Sequence, residues 1–129
     1  MISVDTNIVV RLLTGDDPGQ ASAARALFST EQIWIAKTVL LETAWVLRSI
    51  YGFDEGAISD AFTKLLGLKN VQAEDESCLA AALSLTGHGI EFADAIHLSS
   101  RLQGTAFVTF DKPFVRRAKR AGVSDISSI

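Results

Sequence analysis

The sequence predicts an α/β protein with a central parallel sheet of four to five strands and helices on both faces. Short apolar runs at residues 33–36 and 106–109 alternate with longer segments whose apolar residues recur at helical spacing. Consecutive parallel strands need a long connection between them, and a helix is its usual form. An acidic residue lies within two positions of the end of two predicted strands, as expected where the strands of such a sheet end at a ligand site.

The first half of the chain begins with a short predicted strand at residues 2–4. Residues 6–13 then predict a helix, with Ile8, Val9 and Leu12 at helical spacing. Asp5 or Thr6 can cap this helix, because an N-cap oxygen accepts a hydrogen bond from an unpaired backbone amide. The same signals predict a helix to about residue 29, a strand at 33–36, a helix capped by Thr38 and running to about 51, a helix capped by Asp54 and running to about 66, and a short strand at Val71.

The second half of the chain predicts three helices around one clear strand. Glycines at positions 104 and 122 mark the ends of two of these helices. Pro113 suits the first turn of the last helix, where a missing backbone amide costs little. The predicted elements are helices at 75–85 and 91–102, a strand at 106–109, a helix at 113–121 and an edge strand at 123–126.

Composition limits the class of protein. With 129 residues the chain is long enough to bury the core of one domain, which we predict to span residues 1–129. Hydrophobic residues make up 48% of the chain, which excludes a disordered tail. No apolar run approaches the roughly 20 residues that a membrane span needs, and no signal peptide is recognisable, so we expect a cytoplasmic protein. The single cysteine, Cys78, excludes an internal disulfide and a thiolate metal site, and we expect it to be a buried, inert thiol.

Basic residues are concentrated near the C-terminus, although the net charge of −3 excludes a generally basic nucleic-acid binder. One interpretation is a solvated helix end, where cations interact favourably with the helix dipole. The other is a patch that contacts phosphates, with Lys112, Arg116 and Arg117 as the predicted contacts. The cluster contains Lys112, Arg116, Arg117, Lys119 and Arg120.

Four acidic residues stand where apolar residues or turns are expected: Asp5, Glu42, Asp94 and Asp111. Each has an ordinary explanation. Asp5 and Asp111 can be helix N-caps, and Glu42 can lie on a narrow polar stripe, although most helix rotations place it against the core. Asp94 can form a salt bridge with Arg101 or His97 one or two turns along the same helix.

One shared metal site explains all four carboxylates together. Carboxylates removed from water need compensation, and hard oxygen ligands favour Mg²⁺ or Mn²⁺. One or two such ions can activate water for cleavage of a phosphodiester bond. Thr6, Asn7 and Thr109 are predicted to support the ligands by hydrogen bonding. For His97 a structural role is favoured over that of a catalytic base. For Glu91 a structural role is likewise favoured over that of an auxiliary acid.

Four segments around these acids carry a resemblance to a known family. In their order and spacing, the chain resembles the PIN-domain nucleases and, within them, the VapC-type toxins of bacterial toxin–antitoxin pairs. The similarity runs from the first strand to about Arg120. The segments are Val4-Asp5-Thr6-Asn7-Ile8, Leu41-Glu42-Thr43-Ala44-Trp45, Phe92-Ala93-Asp94-Ala95-Ile96 and Thr109-Phe110-Asp111-Lys112-Pro113.

The resemblance implies a three-layer α/β/α sandwich and Mg²⁺- or Mn²⁺-dependent endoribonuclease activity, with the four acids as catalytic metal ligands. It also implies a homodimer that is neutralised by a cognate antitoxin, with operator DNA bound only through the antitoxin and no membrane partner. An RNA-processing PIN nuclease without an antitoxin is the alternative within the family.

Two alternatives come from other protein classes. A haloacid-dehalogenase-type phosphatase also places an acid after its first strand, but it needs a second Asp where this chain has Asn7. A receiver-type phosphoacceptor domain needs paired acids after the first strand, whereas Asp5 stands alone.

Overall fold

The computed structural model describes residues 1–129 and contains seven helices and five short strands. All strand pairs are parallel, so the predicted α/β class is confirmed. In chain order the elements are β1 (Ile2–Ser3), α1 (Thr6–Thr14), α2 (Pro18–Thr30), β2 (Ile33–Ile35), α3 (Lys37–Ser49), α4 (Glu55–Leu66), β3 (Val71–Ala73), α5 (Glu76–Thr86), α6 (Phe92–Ser99), β4 (Phe107–Thr109), α7 (Lys112–Arg120) and β5 (Ile126–Ser128).

The five strands are divided between two sheets. One has the order β1-β2-β3 and the other pairs β4 with β5. The chain likewise divides into two compact units, Met1–Glu76 and Ser77–Ile129, which we call unit 1 and unit 2. Strands of two or three residues form few ladder hydrogen bonds, so most of the stability of each unit comes from packing of the helices. The assignment of residues 1–129 to a single domain stays a prediction.

The core of unit 1 is built on its central strand. Ile33 pairs with Ile2 on one side and Val71 on the other, and Ile33 and Ile35 are completely buried. Helix α1 packs against both α2 and α3. This packing brings together the segment that follows Asp5 and the helix that carries Glu42.

Three helices of unit 1 begin with an aspartate whose side chain accepts a hydrogen bond from the amide three residues ahead. Asp5, Asp17 and Asp54 accept from Ile8, Gln20 and Ala57 at 3.2, 3.0 and 2.8 Å. Each bond satisfies one of the amides that a helix leaves unpaired at its N-terminus. The predicted cap Asp54 is therefore confirmed, and of the two candidate caps of α1 the structure uses Asp5 rather than Thr6.

Helix α3 begins differently from the prediction. Thr38 is not its cap: the helix starts at Lys37, and the preceding residue, Ala36, offers no side-chain cap. The amide of Lys37 instead donates to Oε1 of Glu74 at 2.9 Å. A carboxylate that follows β3 thus replaces a local cap, which short-range sequence signals do not reveal.

Unit 2 has a small core of aromatic and aliphatic side chains. The rings of Phe107 and Phe114 meet edge to face with centroids 5.9 Å apart. Cys78 is buried, as expected, with Sγ 3.4 Å from Oγ of Ser100. Leu79 and Phe92 are also buried.

Two elements of unit 2 differ from their predicted limits. Helix α6 ends at Ser99 rather than near residue 102, and Arg101 donates to the carbonyl of Leu98 at its end. Strand β5 begins at Ile126 rather than residue 123, because the preceding residues close α7. Gly122 has a φ of 96°, and the amide of Val123 returns to the carbonyl of Ala118 at 3.0 Å. No helix has both the length and the apolar character to cross a membrane.

Candidate functional site

Asp5 follows β1 and is exposed, with an extended backbone at φ −94° and ψ 178°. Its Oδ1 accepts the capping bond from the amide of Ile8 at 3.2 Å. The capping interpretation is therefore correct for Asp5, but the bond uses only one of the two carboxylate oxygens. Capping orients this carboxylate and leaves the second oxygen available as a hard ligand.

A groove of about 260 Å³ lies beside Asp5 in unit 1. Its lining includes Asp5, Asn7, Arg11 and Gln20. Arg11 is held in place there, because its Nε donates to Oε1 of Gln20 at 2.8 Å and its Nη1 donates to the hydroxyl of Tyr51 at 2.9 Å. The groove thus combines a carboxylate, a fixed guanidinium and two amide side chains.

The sequence interpretation missed this groove. A signal for the groove was present in the sequence, because the charged residue Arg11 interrupts the apolar run that continues from Val10 to Leu12. Asp16 extends the network, since its Oδ2 accepts from the hydroxyl of Tyr51 at 2.8 Å and lies 3.6 Å from Nη1 of Arg11. Of the predicted supporting residues, Asn7 is exposed in the groove, whereas Thr6 is buried.

Glu42 does not lie against the core, and that expectation was wrong. The buried face of α3 is formed by Leu40, Thr43, Ala44 and Leu47, so Glu42 is exposed on another face. Thr43 occupies a core position despite being polar, because its hydroxyl donates to the carbonyl of Val39 at 2.7 Å. The metal-ligand role of Glu42 stays a prediction, and it concerns a solvent-accessible carboxylate.

Asp94 is half-buried in the first turn of α6. The salt bridge with Arg101 is not formed: Arg101 donates instead to the carbonyls of Leu98 and Thr105 at 2.9 and 3.2 Å. His97 is exposed on the same helix. An acidic residue in the first turn of a helix also interacts favourably with the helix dipole.

Asp111 repeats in unit 2 the arrangement of Asp5 in unit 1. It follows β4, is exposed, and accepts from the amide of Phe114 at 3.0 Å through Oδ1. The hydroxyl of Thr109 accepts from the backbone amide of Asp111 at 3.1 Å. Thr109 therefore supports Asp111 through the backbone, whereas the prediction had it bond a carboxylate or a metal-bound water.

Helix α7 presents its basic residues to solvent. Phe114, Val115 and Ala118 form its buried face, and all five of its cations are exposed. The salt bridges of the protein use Arg11, Lys37 and Arg48, none of which belongs to α7. Unit 2 has six basic and four acidic residues, so it is net positive although the whole chain is net negative.

The donor chemistry of the predicted ligands suits Mg²⁺ or Mn²⁺. All four are carboxylates, and those of Asp5 and Asp111 each have one oxygen directed by a cap and a second oxygen free of hydrogen bonds. Hard oxygen donors of this kind are the usual ligands of both ions. The structure contains no preformed group of three or more His, Cys, Asp or Glu side chains arranged around a metal position. The four-carboxylate site therefore stays a prediction.

The chain is similar to one known protein family. The family model described as PIN domain matches residues 2–120, a span that contains all four acids and the cations of α7. Searches of curated proteins and of solved structures found no match to the chain. The family match favours a nuclease over the phosphatase and receiver alternatives.

Proposed function

The chain belongs to the PIN-domain family, whose members are generally metal-dependent nucleases. From this premise we propose that it is a Mg²⁺- or Mn²⁺-dependent endoribonuclease. We also propose that it acts as the toxin of a toxin–antitoxin pair. The observation that carries the nuclease proposal is the family match over residues 2–120, which includes Asp5, Glu42, Asp94 and Asp111. The toxin role is supported by the resemblance of the four acidic segments to those of VapC-type toxins.

In this proposal the four carboxylates hold the divalent ion. When bound, the ion supplies Lewis acidity for the hydrolysis of a phosphodiester bond. Asp5 and Asp111 are suited to this role, because an N-cap bond to one oxygen restricts the rotation of each carboxylate. Thr109 fixes the backbone of Asp111, and Asn7 lies beside Asp5 in the groove.

The cations of α7 bind the RNA backbone in the proposed complex. Lys112, Arg116 and Arg117 are all exposed, and Lys112 directly follows Asp111. Lys112 is also the first residue of α7, where the helix dipole disfavours a positive charge. A lysine at this position does not stabilise the helix, which supports a role in binding an anion.

The proposed partners follow from the toxin role. They are an RNA substrate, a cognate antitoxin that covers the acidic site, and a second copy of the chain in a homodimer. Operator DNA would be bound only through the antitoxin. Neutralisation by a co-expressed neighbouring gene product separates this role from RNA processing without an antitoxin.

The test begins with purified protein and a mixture of structured and single-stranded RNAs. We expect cleavage with Mg²⁺ or Mn²⁺, loss of cleavage with a chelator, and loss with Asp5→Asn or Asp94→Asn. Expression in bacteria should arrest growth, and the same variants should relieve the arrest. Full RNA cleavage by both variants would contradict the assignment of these ligands. Cleavage without growth arrest would favour an RNA-processing nuclease.

A further inference from the structure

Phe110 is the one phenylalanine of the chain whose ring lies in solvent. Its exposed fraction is 80%, whereas the other six phenylalanines are buried or half-buried. It stands between Thr109, the last residue of β4, and Asp111, the N-cap of α7. A large apolar side chain therefore lies beside a predicted catalytic carboxylate, without contributing a buried surface to the fold.

The backbone on both sides of Phe110 is fixed. The amide of Asp111 donates to the hydroxyl of Thr109 at 3.1 Å, and the carbonyl of Thr109 accepts from the amide of Ile129 at 3.2 Å. The side chain of Asp111 is anchored in turn by the amide of Phe114. Because the turn is held at both ends, the backbone position from which the ring projects is fixed, which lowers the entropy cost of ordering this segment on binding.

Phe110 is also distinct from the aromatic pair nearest to it in sequence. Phe107 and Phe114 pack against each other with an angle of 66° between their ring planes. Phe114 is buried and Phe107 is half-buried. The core of unit 2 thus uses the aromatic residues on either side of Phe110 and leaves this ring unpaired.

Cations follow Phe110 in the sequence, within α7. Lys112, Arg116 and Arg120 recur every four residues along one exposed face of the helix. None of them takes part in a salt bridge of the protein. An exposed aromatic ring next to a line of cations is the usual combination in proteins that bind single-stranded nucleic acid.

We propose that Phe110 is a stacking platform for an unpaired nucleobase of the RNA substrate, next to the cleaved bond. The inference rests on the proposed ribonuclease function and extends it to how the substrate is held. Lys112 and Arg116 bind the flanking phosphates, and the ring face positions the neighbouring nucleotide. Because every base has a π face, this contact contributes affinity for single strands with little base preference.

The test measures binding of a short single-stranded RNA by fluorescence anisotropy, in the full chain carrying Asp5→Asn to prevent cleavage. Phe110→Leu keeps an apolar side chain but removes the aromatic face, and Phe110→Trp keeps the face. We expect Phe110→Leu to weaken binding about tenfold and Phe110→Trp to preserve it. Leu102→Ala is the control, because Leu102 is equally exposed at 77% in the same unit.

Two further readouts distinguish stacking from a general loss of affinity. The slope of log affinity against log salt should be unchanged in Phe110→Leu, whereas Arg116→Gln should reduce it by about one. A 2-aminopurine base in the RNA should lose fluorescence on binding, and Phe110→Leu should relieve that quenching. The stacking role would be overturned if Phe110→Leu bound RNA and quenched 2-aminopurine as strongly as the Asp5→Asn protein that retains Phe110.

The outcomes also separate this inference from the proposed function. RNA cleavage by wild type together with unaltered binding in Phe110→Leu overturns only the platform. Failure of the wild-type chain to bind or cleave any RNA overturns the proposed function as well. A changed oligomeric state in Phe110→Leu, by light scattering, with unchanged RNA affinity would overturn the platform and assign Phe110 to a contact between two copies.

Discussion

The hydroxyl of Thr109 accepts a hydrogen bond from the backbone amide of Asp111 at 3.1 Å. Through this bond the last residue of β4 determines where the N-cap carboxylate of α7 stands. A residue that supports a predicted ligand in this way affects activity more than stability, because small displacements of a catalytic group are costly.

Replacing Thr109 with Val tests this support. Valine keeps the β-branched shape but removes the acceptor, so we expect RNA cleavage to fall by about 10- to 100-fold. Thr109→Ser retains the hydroxyl and should keep most of the activity. Initial rates at several Mg²⁺ concentrations measure the effect. Equal activity of the Val and Ser variants would show that the hydrogen bond has no functional role.

Asp5 combines two roles that substitution can separate. Asp5→Asn should keep the capping bond to Ile8 and change the free energy of unfolding little, because Asn caps helices as well as Asp does. RNA cleavage should nevertheless be lost. Urea denaturation and a cleavage assay measure the two effects.

Asp54 provides the matched control for Asp5. It makes the same type of bond, to the amide of Ala57 at 2.8 Å, but lies outside the predicted site. Asp54→Ala should lower the free energy of unfolding by about 1 kcal/mol and leave the cleavage rate of the folded protein unchanged. Loss of cleavage in folded Asp54→Ala would show that a weakened helix start outside the predicted site is enough to abolish activity.

Glu42 offers a clean test of function because it is exposed. Glu42→Gln should change the free energy of unfolding by less than about 0.5 kcal/mol, as is usual for surface positions. If Glu42 is a metal ligand, the same substitution should weaken Mn²⁺ binding and RNA cleavage. Calorimetric titration with Mn²⁺ measures the binding. Asp60→Asn, at an exposed acid on α4, is the control and should alter neither.

The Arg11 network predicts a structural role for Tyr51. Tyr51→Phe removes a hydroxyl that accepts from Arg11 and donates to Asp16. We expect the free energy of unfolding to fall by about 1 kcal/mol, as for loss of a hydrogen bond in a partly buried network. Thermal and urea unfolding measure the change. An unchanged midpoint would show that the hydroxyl contributes nothing to stability.

Hydrogen bonds between residues far apart in the chain could be identified only from the tertiary structure. Glu74 caps α3 from 37 residues away, and Arg11 meets Tyr51 across 40 residues. The position of Glu42 was misjudged for a different reason: the Thr43 hydroxyl donates to the carbonyl of Val39 within α3, which lets a polar residue take a core position. Which face of α3 is buried depends on packing against other segments, and local patterns do not contain this information.

The sequence by itself determined the order of strands and helices, the capping roles of Asp5 and Asp54, and the family to which the chain belongs. These properties follow from signals within a few residues, such as helical spacing and bonds from residue i to i+3. Only the tertiary structure decided which face of α3 Glu42 occupies, how Arg11 is held, and that Phe110 lies in solvent. Burial and long-range hydrogen bonds depend on packing between distant segments.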